Sequence, residues 1–555
     1  MTRTIGIEWL AEHLNDPNLV IIDASPTEEY LSGHIENAVS ASFSAPDYLS
    51  YGINTSYGGG VDLFQDPDAP IPFQDGPPEY ISEVLRSLGI KKNSTVIVYD
   101  NGGHYLATRL FWTLTFHGHE NSFILDGGVH RWAMEDLPLV EEIPSVKKGN
   151  FVSSIHEPSS AVKREYVLAN LNNPRIVFVD SRSPDFYYGS VWKYWLKGHL
   201  PFAVNIPYTD FFRDDKTWRS IDELRDLFES FGITPEKDII AYCGGNPIAT
   251  LLYFTLRYVL GYPHVKLYLE SLMGWASDSR NLPVWTYGNE YLIKEADWLE
   301  WFAGERIQYR VRDPKVRTLD VRSRDQYKAG HIPYSINIPI DELVNSSNPS
   351  LELWENIFGS YGIGEDTEVV IYDEQLNRFS VLLFWLMEYF GHRKVSILNG
   401  GFAAWVERGY KVTEKETIIT KPKHKFDVAI SPTSYKIRLQ KEKRLDNRYI
   451  ASDSKRLSRI WLNASKKEEC LSRVDPNSDY VYISFEENLD SKGKIKGAGE
   501  LWKIYKGAGV YKQSEIVCFS YSLYEATFAY FILRLLGYPM IRVVVPEKIT
   551  SIPRG

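Results

Sequence analysis

A chain of 555 residues is too long for one hydrophobic core, so length alone asks for several domains. With 44% hydrophobic and 24% charged residues it is neither disordered nor fibrous, and a formal net charge of −10 lacks the basic footprint that nucleic-acid binding needs. Three cysteines, Cys243, Cys470 and Cys518, exclude a disulfide framework and a zinc site of paired cysteines.

The opening stretch, MTRTIGIEWLAEHLNDP, carries Glu8, Glu12 and Asp16 where a signal peptide needs an uninterrupted apolar run. Farther on, the longest apolar helices are broken by Arg257, Glu388 or Arg534, so none is expected to span a membrane. A reducing, cytoplasmic setting is the expectation.

The first third of the chain then shows a series of elements that recurs. A strand ending in acid, VIIDAS, leads to a Gly-His turn, SGHIENAVSASF, and a Gly- and Tyr-rich stretch follows. Next come an amphipathic helix closing on Gly89, the strand VIVYD, a polar loop, and a strongly apolar helix. The second passage repeats this with IVFVDSR, KGHLPFAVNIP, a helix closing on Gly232, and IIAYC. The third has VRTLDVR, AGHIPYSINIP, Gly362 and VVIYD; the fourth, with Gly509 and IVCFS, lacks the Gly-His turn. The four glycines fit the position just past a helix, where a left-handed backbone is needed.

The first loop residue after the recurring strand is Asp100, Cys243, Asp373 and Ser520 in turn, at spacings of 143, 130 and 147 residues. These spacings divide the chain at 1–145, 146–290, 291–420 and 421–555. Continuous apolar strands alternating with helices imply an α/β fold in which a mainly parallel sheet has helices on both faces. Loops at the carboxyl ends of such strands are where this architecture builds sites, and each of the four residues occupies that place.

With those residues in view, the chain resembles the rhodanese superfamily, in particular the tandem-domain thiosulfate and 3-mercaptopyruvate sulfurtransferases. The resemblance rests on Asp180-Ser181-Arg182 and Asp320-Val321-Arg322, on the Gly-His turns, and on Leu125-Asp126-Gly127-Gly128 to Trp132 with its repeat at Leu398 to Trp405. YLESLMGWASDSRNLPV, with Ser271 and Trp275 in register, closes the second unit. The resemblance implies four tandem rhodanese-like domains, with one active unit at Cys243 and inactive ones at Asp100, Asp373 and Ser520. It also implies transfer of sulfane sulfur from a small-molecule donor to a thiol, protein or cyanide acceptor through a Cys243 persulfide. A carrier or redox-sensing protein is the alternative. No metal or organic cofactor and no membrane or nucleic-acid partner is expected, and homo-oligomers remain an option.

Sulfur transfer needs a thiolate, whereas a free cysteine is mostly protonated at neutral pH. Consecutive backbone N–H groups curled around the sulfur, backed by the positive end of the following helix, would stabilise it without a general base. The expected cradle is Gly244, Gly245, Asn246, Ile248, Ala249 and Thr250, with the two glycines permitting the tight path; Pro247 has no N–H to give. Cys518, inside its strand, and Cys470 read as structural.

Several residues depart from the family pattern. Thiosulfate-type members place cations after the cysteine, where this chain has Gly244 and Gly245, and mercaptopyruvate-type members place a hydroxyl where it has Ile248. A second arginine four residues beyond the strand-end arginine is replaced by Phe186. Arg182, Lys197 and His199 are therefore candidate substrate contacts, weighed against a structural pairing for Arg182, a solvated face for Lys197 and a scaffold role for His199. His34 and His331 recur at turns in units without the cysteine. The Gly- and Tyr-rich stretch 42–64 is a candidate cleft wall.

Overall fold

The computed structural model describes residues 2–41, 64–66, 74–191, 197–303, 315–344, 350–375, 378–419, 430–446, 459–466 and 480–545. Cys470, and all of the proposed cleft wall but Phe64, lie outside them. The chain forms two compact units, Met1–Thr286 and Tyr287–Gly555.

Each unit holds two five-stranded sheets. The first sheet comprises β1 (Thr4–Ile5), β2 (Leu19–Asp23), β3 (Ala38–Ser40), β4 (Thr95–Tyr99) and β5 (Ser122–Leu125), in the order β1-β5-β4-β2-β3. The second has β6 (Ala161–Val162), β7 (Ile176–Asp180), β8 (Val204–Asn205), β9 (Asp238–Tyr242) and β10 (Val265–Tyr268). In the other unit lie β11 (Ile293–Lys294), β12 (Val316–Asp320), β13 (Ile336–Asn337), β14 (Glu368–Tyr372) and β15 (Val395–Leu398). The fourth sheet is β16 (Arg444–Asp446), β17 (Arg459–Asn463), β18 (Val481–Tyr482), β19 (Glu515–Phe519) and β20 (Ile541–Val545). All four share one strand order, including the fourth, whose sequence is the most worn.

The pairings in all four sheets are parallel, as near-continuous apolar strands such as DIIAY and EVVIY require. The central strand of each sheet, β4, β9, β14 or β19, ends at one of the four loop residues. Register sets what stands beside that loop. Asp23 pairs with Tyr99, Asp180 with Tyr242, Asp320 with Tyr372 and Asn463 with Phe519, so the strand-end acid or amide always lies next to the loop's first residue. Gly89, Gly232, Gly362 and Gly509 have φ of 81°, 72°, 68° and 79°, the left-handed backbone expected past each helix.

Within the first unit the helices that follow the two loops, Tyr105–Phe116 and Pro247–Phe254, pack against each other. Phe111 meets Phe254 edge-on at 4.9 Å and Trp112 meets Tyr253 at 4.8 Å, so one buried core runs through both sheets. In the second unit Arg378–Tyr389 packs on Leu523–Leu535 in the same way, with Phe384 edge-on to Phe531 at 4.8 Å. That contact also holds an ionic network: Glu388 binds Arg534 at 2.7 Å and accepts from Tyr530 at 2.6 Å. The two cations Arg534 and Lys443 outweigh burial and pull the Glu388 carboxyl down to about 2. No helix among the described residues is long and apolar enough to cross a membrane.

Candidate active site

Cys243 follows β9 and precedes the helix at Pro247, in the loop Cys-Gly-Gly-Asn. Its side chain is only 2% exposed. The Asn246 N–H donates to Sγ at 3.2 Å, and the backbone N–H groups of Ala249, which also donates to the Asn246 carbonyl at 2.8 Å, and of Gly245 are near enough to favour a charge on the sulfur. Burial pushes the Cys243 thiol up; those three donors pull it back, and the nearby Asp180 carboxylate adds to the rise. Cys518, by contrast, is pushed up by burial alone. Cys243 is thus a sheltered thiol with a partial anion cradle, and Cys518 a packing residue.

The corresponding loops show what the cradle is built to hold. The Asp100 carboxylate accepts four backbone N–H bonds: Gly102 at 2.9 Å and His104 at 2.8 Å on Oδ1, Leu106 and Ala107 at 3.1 Å each on Oδ2. Asp373 accepts from Phe379 at 2.9 Å and Ser380 at 3.4 Å. Phe379 stands six residues after its loop residue, as Leu106 and Ala249 do after theirs. Two loops therefore carry their own anion, and the second carries a sulfur at the same place. In the fourth, the Ser520 hydroxyl donates to the Ser522 carbonyl within a local turn.

The tight turn is made differently from the sequence expectation. The left-handed residue in the loop is Asn246, with φ 94°, rather than a glycine. Asn246 is fully buried and stands at the N-cap of the following helix. Thr250 is also buried; its hydroxyl donates to the Pro247 carbonyl at 2.7 Å and lies 3.3 Å from Thr108 Oγ1 of the first sheet's helix, and its N–H donates to the Asn246 carbonyl at 3.2 Å. Ile248 packs against the core, and its carbonyl accepts from Ser181 at 3.3 Å.

The candidate substrate contacts separate. His199 is fully buried, its ring stacked on Tyr187 at 3.5 Å with Nδ1 donating to the Tyr187 carbonyl at 2.8 Å. His34 on Tyr30 and His331 on Tyr327 repeat this pairing, so His199 shares its stacking and its bond with the histidines of repeats that lack the cysteine. Lys197 is exposed. Arg182 donates from Nε and Nη2 to the Asp180 carboxylate and from Nη2 to the Gly198 carbonyl, the structural pairing weighed above.

Ser271 was legible as a motif residue but not as part of the site. Its Oγ accepts the Cys243 N–H at 3.3 Å and donates to the Tyr268 carbonyl at 3.2 Å. It adopts φ 47° at a place where the repeats of the first and third sheets have Gly128 and Gly401, at φ 56° and 58°. A Cβ at either glycine would come within 2.4 or 2.5 Å of the Asp100 or Asp373 carbonyl, so those two repeats have no room for the side chain that Ser271 places here. The signal in the sequence was a serine where two repeats have glycine. Among the described residues no cluster of three or more His, Cys, Asp or Glu could hold a metal ion.

Parallel α/β sheets that each place a loop after the central strand, with backbone amides on the first loop residue in three of them and a thiol in one of those three, define a class of cysteine-bearing domain. The model of the rhodanese-like domain matches residues 6–135, 163–278 and 305–408, and the chain belongs to that family. It is 31% identical over 296 residues to the 3-mercaptopyruvate sulfurtransferase of Escherichia coli, covering 51% of this chain and 98% of that protein. It is 29% identical over 287 residues to the sulfur carrier protein TtuD of Thermus thermophilus, covering 49% of this chain and 93% of that one. The crystal structure of SseA from Escherichia coli superposes with a TM-score of 0.42 at 31% identity, covering 48% of this chain and 98% of that one.

Proposed function

We propose that the chain is a sulfurtransferase with one working site, at Cys243, in a unit spanning 146–290, and that the three other units serve as scaffold. The observation that supports this most is the cradle. Backbone donors converge on Cys243 Sγ where equivalent loops hold a carboxylate, so the site is shaped for a negative charge on sulfur. In the first half-reaction the Cys243 thiolate attacks the sulfane sulfur of a thiosulfate- or 3-mercaptopyruvate-class donor. A sulfur–sulfur bond forms, and the donor's S–S or C–S bond breaks with its electron pair leaving on sulfite or on the enolate of pyruvate. The outer sulfur of the persulfide then carries the charge, and Gly245, Asn246 and Ala249 hold it. In the second half-reaction a thiol or cyanide attacks that outer sulfur and the Cys243 thiolate departs.

A second reading, a sulfur carrier or redox sensor that loads without efficient turnover, draws on the burial that keeps the resting thiol protonated. A relative named a sulfur carrier gives it further support. Intact mass after incubation with thiosulfate and, separately, 3-mercaptopyruvate tests both. A gain of one sulfur atom, absent in Cys243→Ser and released as thiocyanate by cyanide over many turnovers, is the expected result. Loading without turnover supports the carrier. No gain from either donor, with Cys243 unreactive toward iodoacetamide, overturns both.

A further inference from the structure

Two arginines, Arg182 and Arg322, leave their strands in the same way and are anchored in the same way. Each donates from Nε to both oxygens of the aspartate two residues earlier. Each also places Nη2 on that carboxylate, at 2.6 and 2.8 Å, and on a turn carbonyl, of Gly198 at 2.7 Å or Gly330 at 2.8 Å. The third nitrogen distinguishes them. Arg322 Nη1 donates to the Glu374 carboxylate at 2.8 Å, and the guanidinium lies over the Phe402 ring at 4.0 Å. Glu374 is the residue directly after the loop residue Asp373, and Phe402 follows that residue by 29.

After Cys243 those two places hold Gly244 and Leu272. No carboxylate can reach back from a glycine and no ring can cover the guanidinium from a leucine. Arg182 Nη1 meets no acceptor among the described residues, and its side chain keeps 10% exposure against 4% for Arg322. Its neighbour across the sheet is Tyr242, the residue before the cysteine, because Asp180 and Tyr242 are paired in register. Cys243 is among the groups whose negative charge favours the Arg182 cation.

We infer that Arg182 Nη1, uncovered by Gly244, is an anion subsite at the mouth of the Cys243 loop that takes the carboxylate of an incoming sulfur donor. The third unit shows the same donor already filled by a carboxylate from its own chain. This inference rests on Cys243 being the sulfur-accepting thiol. It also answers the loss of loop cations: the charge that family members place beside the cysteine is supplied here from the end of the adjacent strand. A guanidinium held on two sides keeps its remaining nitrogen directed, so it recognises an oxyanion at little entropic cost.

The test uses alkylation, which needs no sulfur transfer. Iodoacetate and iodoacetamide each form a thioether with Cys243 and release iodide, and they differ in one carboxylate. The iodoacetate-to-iodoacetamide rate ratio at Cys243, read by peptide mass and divided by the same ratio for glutathione, is expected to exceed unity by about tenfold, the size of one charge-assisted hydrogen bond. Gly244→Glu, which copies Glu374, is expected to remove that preference. Gly244→Met, of similar bulk without charge, should slow both reagents together and leave the ratio within about threefold. Arg182→Lys keeps a cation for Asp180 but has no third nitrogen, so the ratio should fall toward that of glutathione; this separates binding at Nη1 from simple repulsion by the carboxylate that Gly244→Glu adds.

A wild-type ratio equal to that of glutathione, or a ratio unmoved by Gly244→Glu or by Arg182→Lys, overturns the subsite. The outcome is distinguishable from failure of the transferase reading. Loss of preference with sulfur uptake intact removes the subsite alone, and absence of sulfur uptake with the preference intact removes the transferase and leaves the anion subsite standing.

Discussion

The loops at Asp100 and Cys243 leave equivalent strands, precede equivalent helices that pack on each other, and aim backbone N–H groups at the same place. One is filled by its own carboxylate on four donors, the other by a thiol that the donors only partly compensate for burial. The first is a finished structural element, a carboxylate held by four backbone N–H groups of its own loop. The second holds a thiol whose pKa burial raises more than the backbone donors lower it. The lesson is that the two loops differ by what occupies the cradle, a carboxylate in one and a thiol in the other.

The largest effect on stability is expected where the finished loop is emptied. Asp100→Ala orphans four buried N–H groups and should lower unfolding free energy by about 3–5 kcal/mol, whereas Asp100→Asn, which keeps an acceptor, should cost about 1–2 kcal/mol; urea denaturation reads both. The converse change sharpens the comparison. Cys243→Asp puts a carboxylate into the second cradle and should fold with a loss under about 1 kcal/mol while abolishing sulfur uptake. A loss as large as that of Asp100→Ala would mean that the two cradles are not equivalent.

Ser271 offers a finer cut. Ser271→Ala leaves the Cys243 N–H without its acceptor and keeps the left-handed backbone, at a cost of about 1–2 kcal/mol. Ser271→Gly loses the same bond but relieves the backbone and should cost less than alanine, because the first and third units use glycine there. The reverse order would show that the serine is held by something other than its bond to Cys243.

The smallest effect is in pH dependence. The Cys243 pKa is raised in the folded state, so the unfolded chain, with its thiol near about 8.5, releases its proton first as pH rises. Below about pH 8.5 the contribution is fully present, and it is lost progressively above. Wild type should therefore lose more stability than Cys243→Ser between about pH 8 and 10 in matched denaturant titrations, the other cysteines being common to both. Equal losses would place the folded thiol near its ordinary value.

Much of this was legible in the sequence because the signals were local. Gly89, Gly232, Gly362 and Gly509 end helices where a left-handed residue is required, and apolar runs such as DIIAY are buried on both faces. The repeat carried four copies of one sheet order, including the fourth, where the Gly-His turn is gone. His199 was ambiguous in sequence, since a histidine at a turn suits a substrate as well as a scaffold. The structure buries it against Tyr187, twelve residues away, in the pairing that His34 and His331 repeat. Which loop residue turns left-handed was not legible, because glycines permit such a backbone without compelling it, and a buried Asn246 at a helix start takes that role.

By itself the amino-acid order determined the α/β class, the fourfold repetition and the singular place of Cys243, since periodicity, helix ends and the identity of one residue against three others are properties of the chain read locally. Only the tertiary structure decided which atoms face the sulfur, that Ser271 stands behind it across 28 residues, and that Arg182 keeps one nitrogen uncovered while Arg322 does not. Those facts depend on strand register and on side chains meeting across elements far apart in the chain, and pairwise distances of that kind are fixed by packing rather than by any pattern along the sequence.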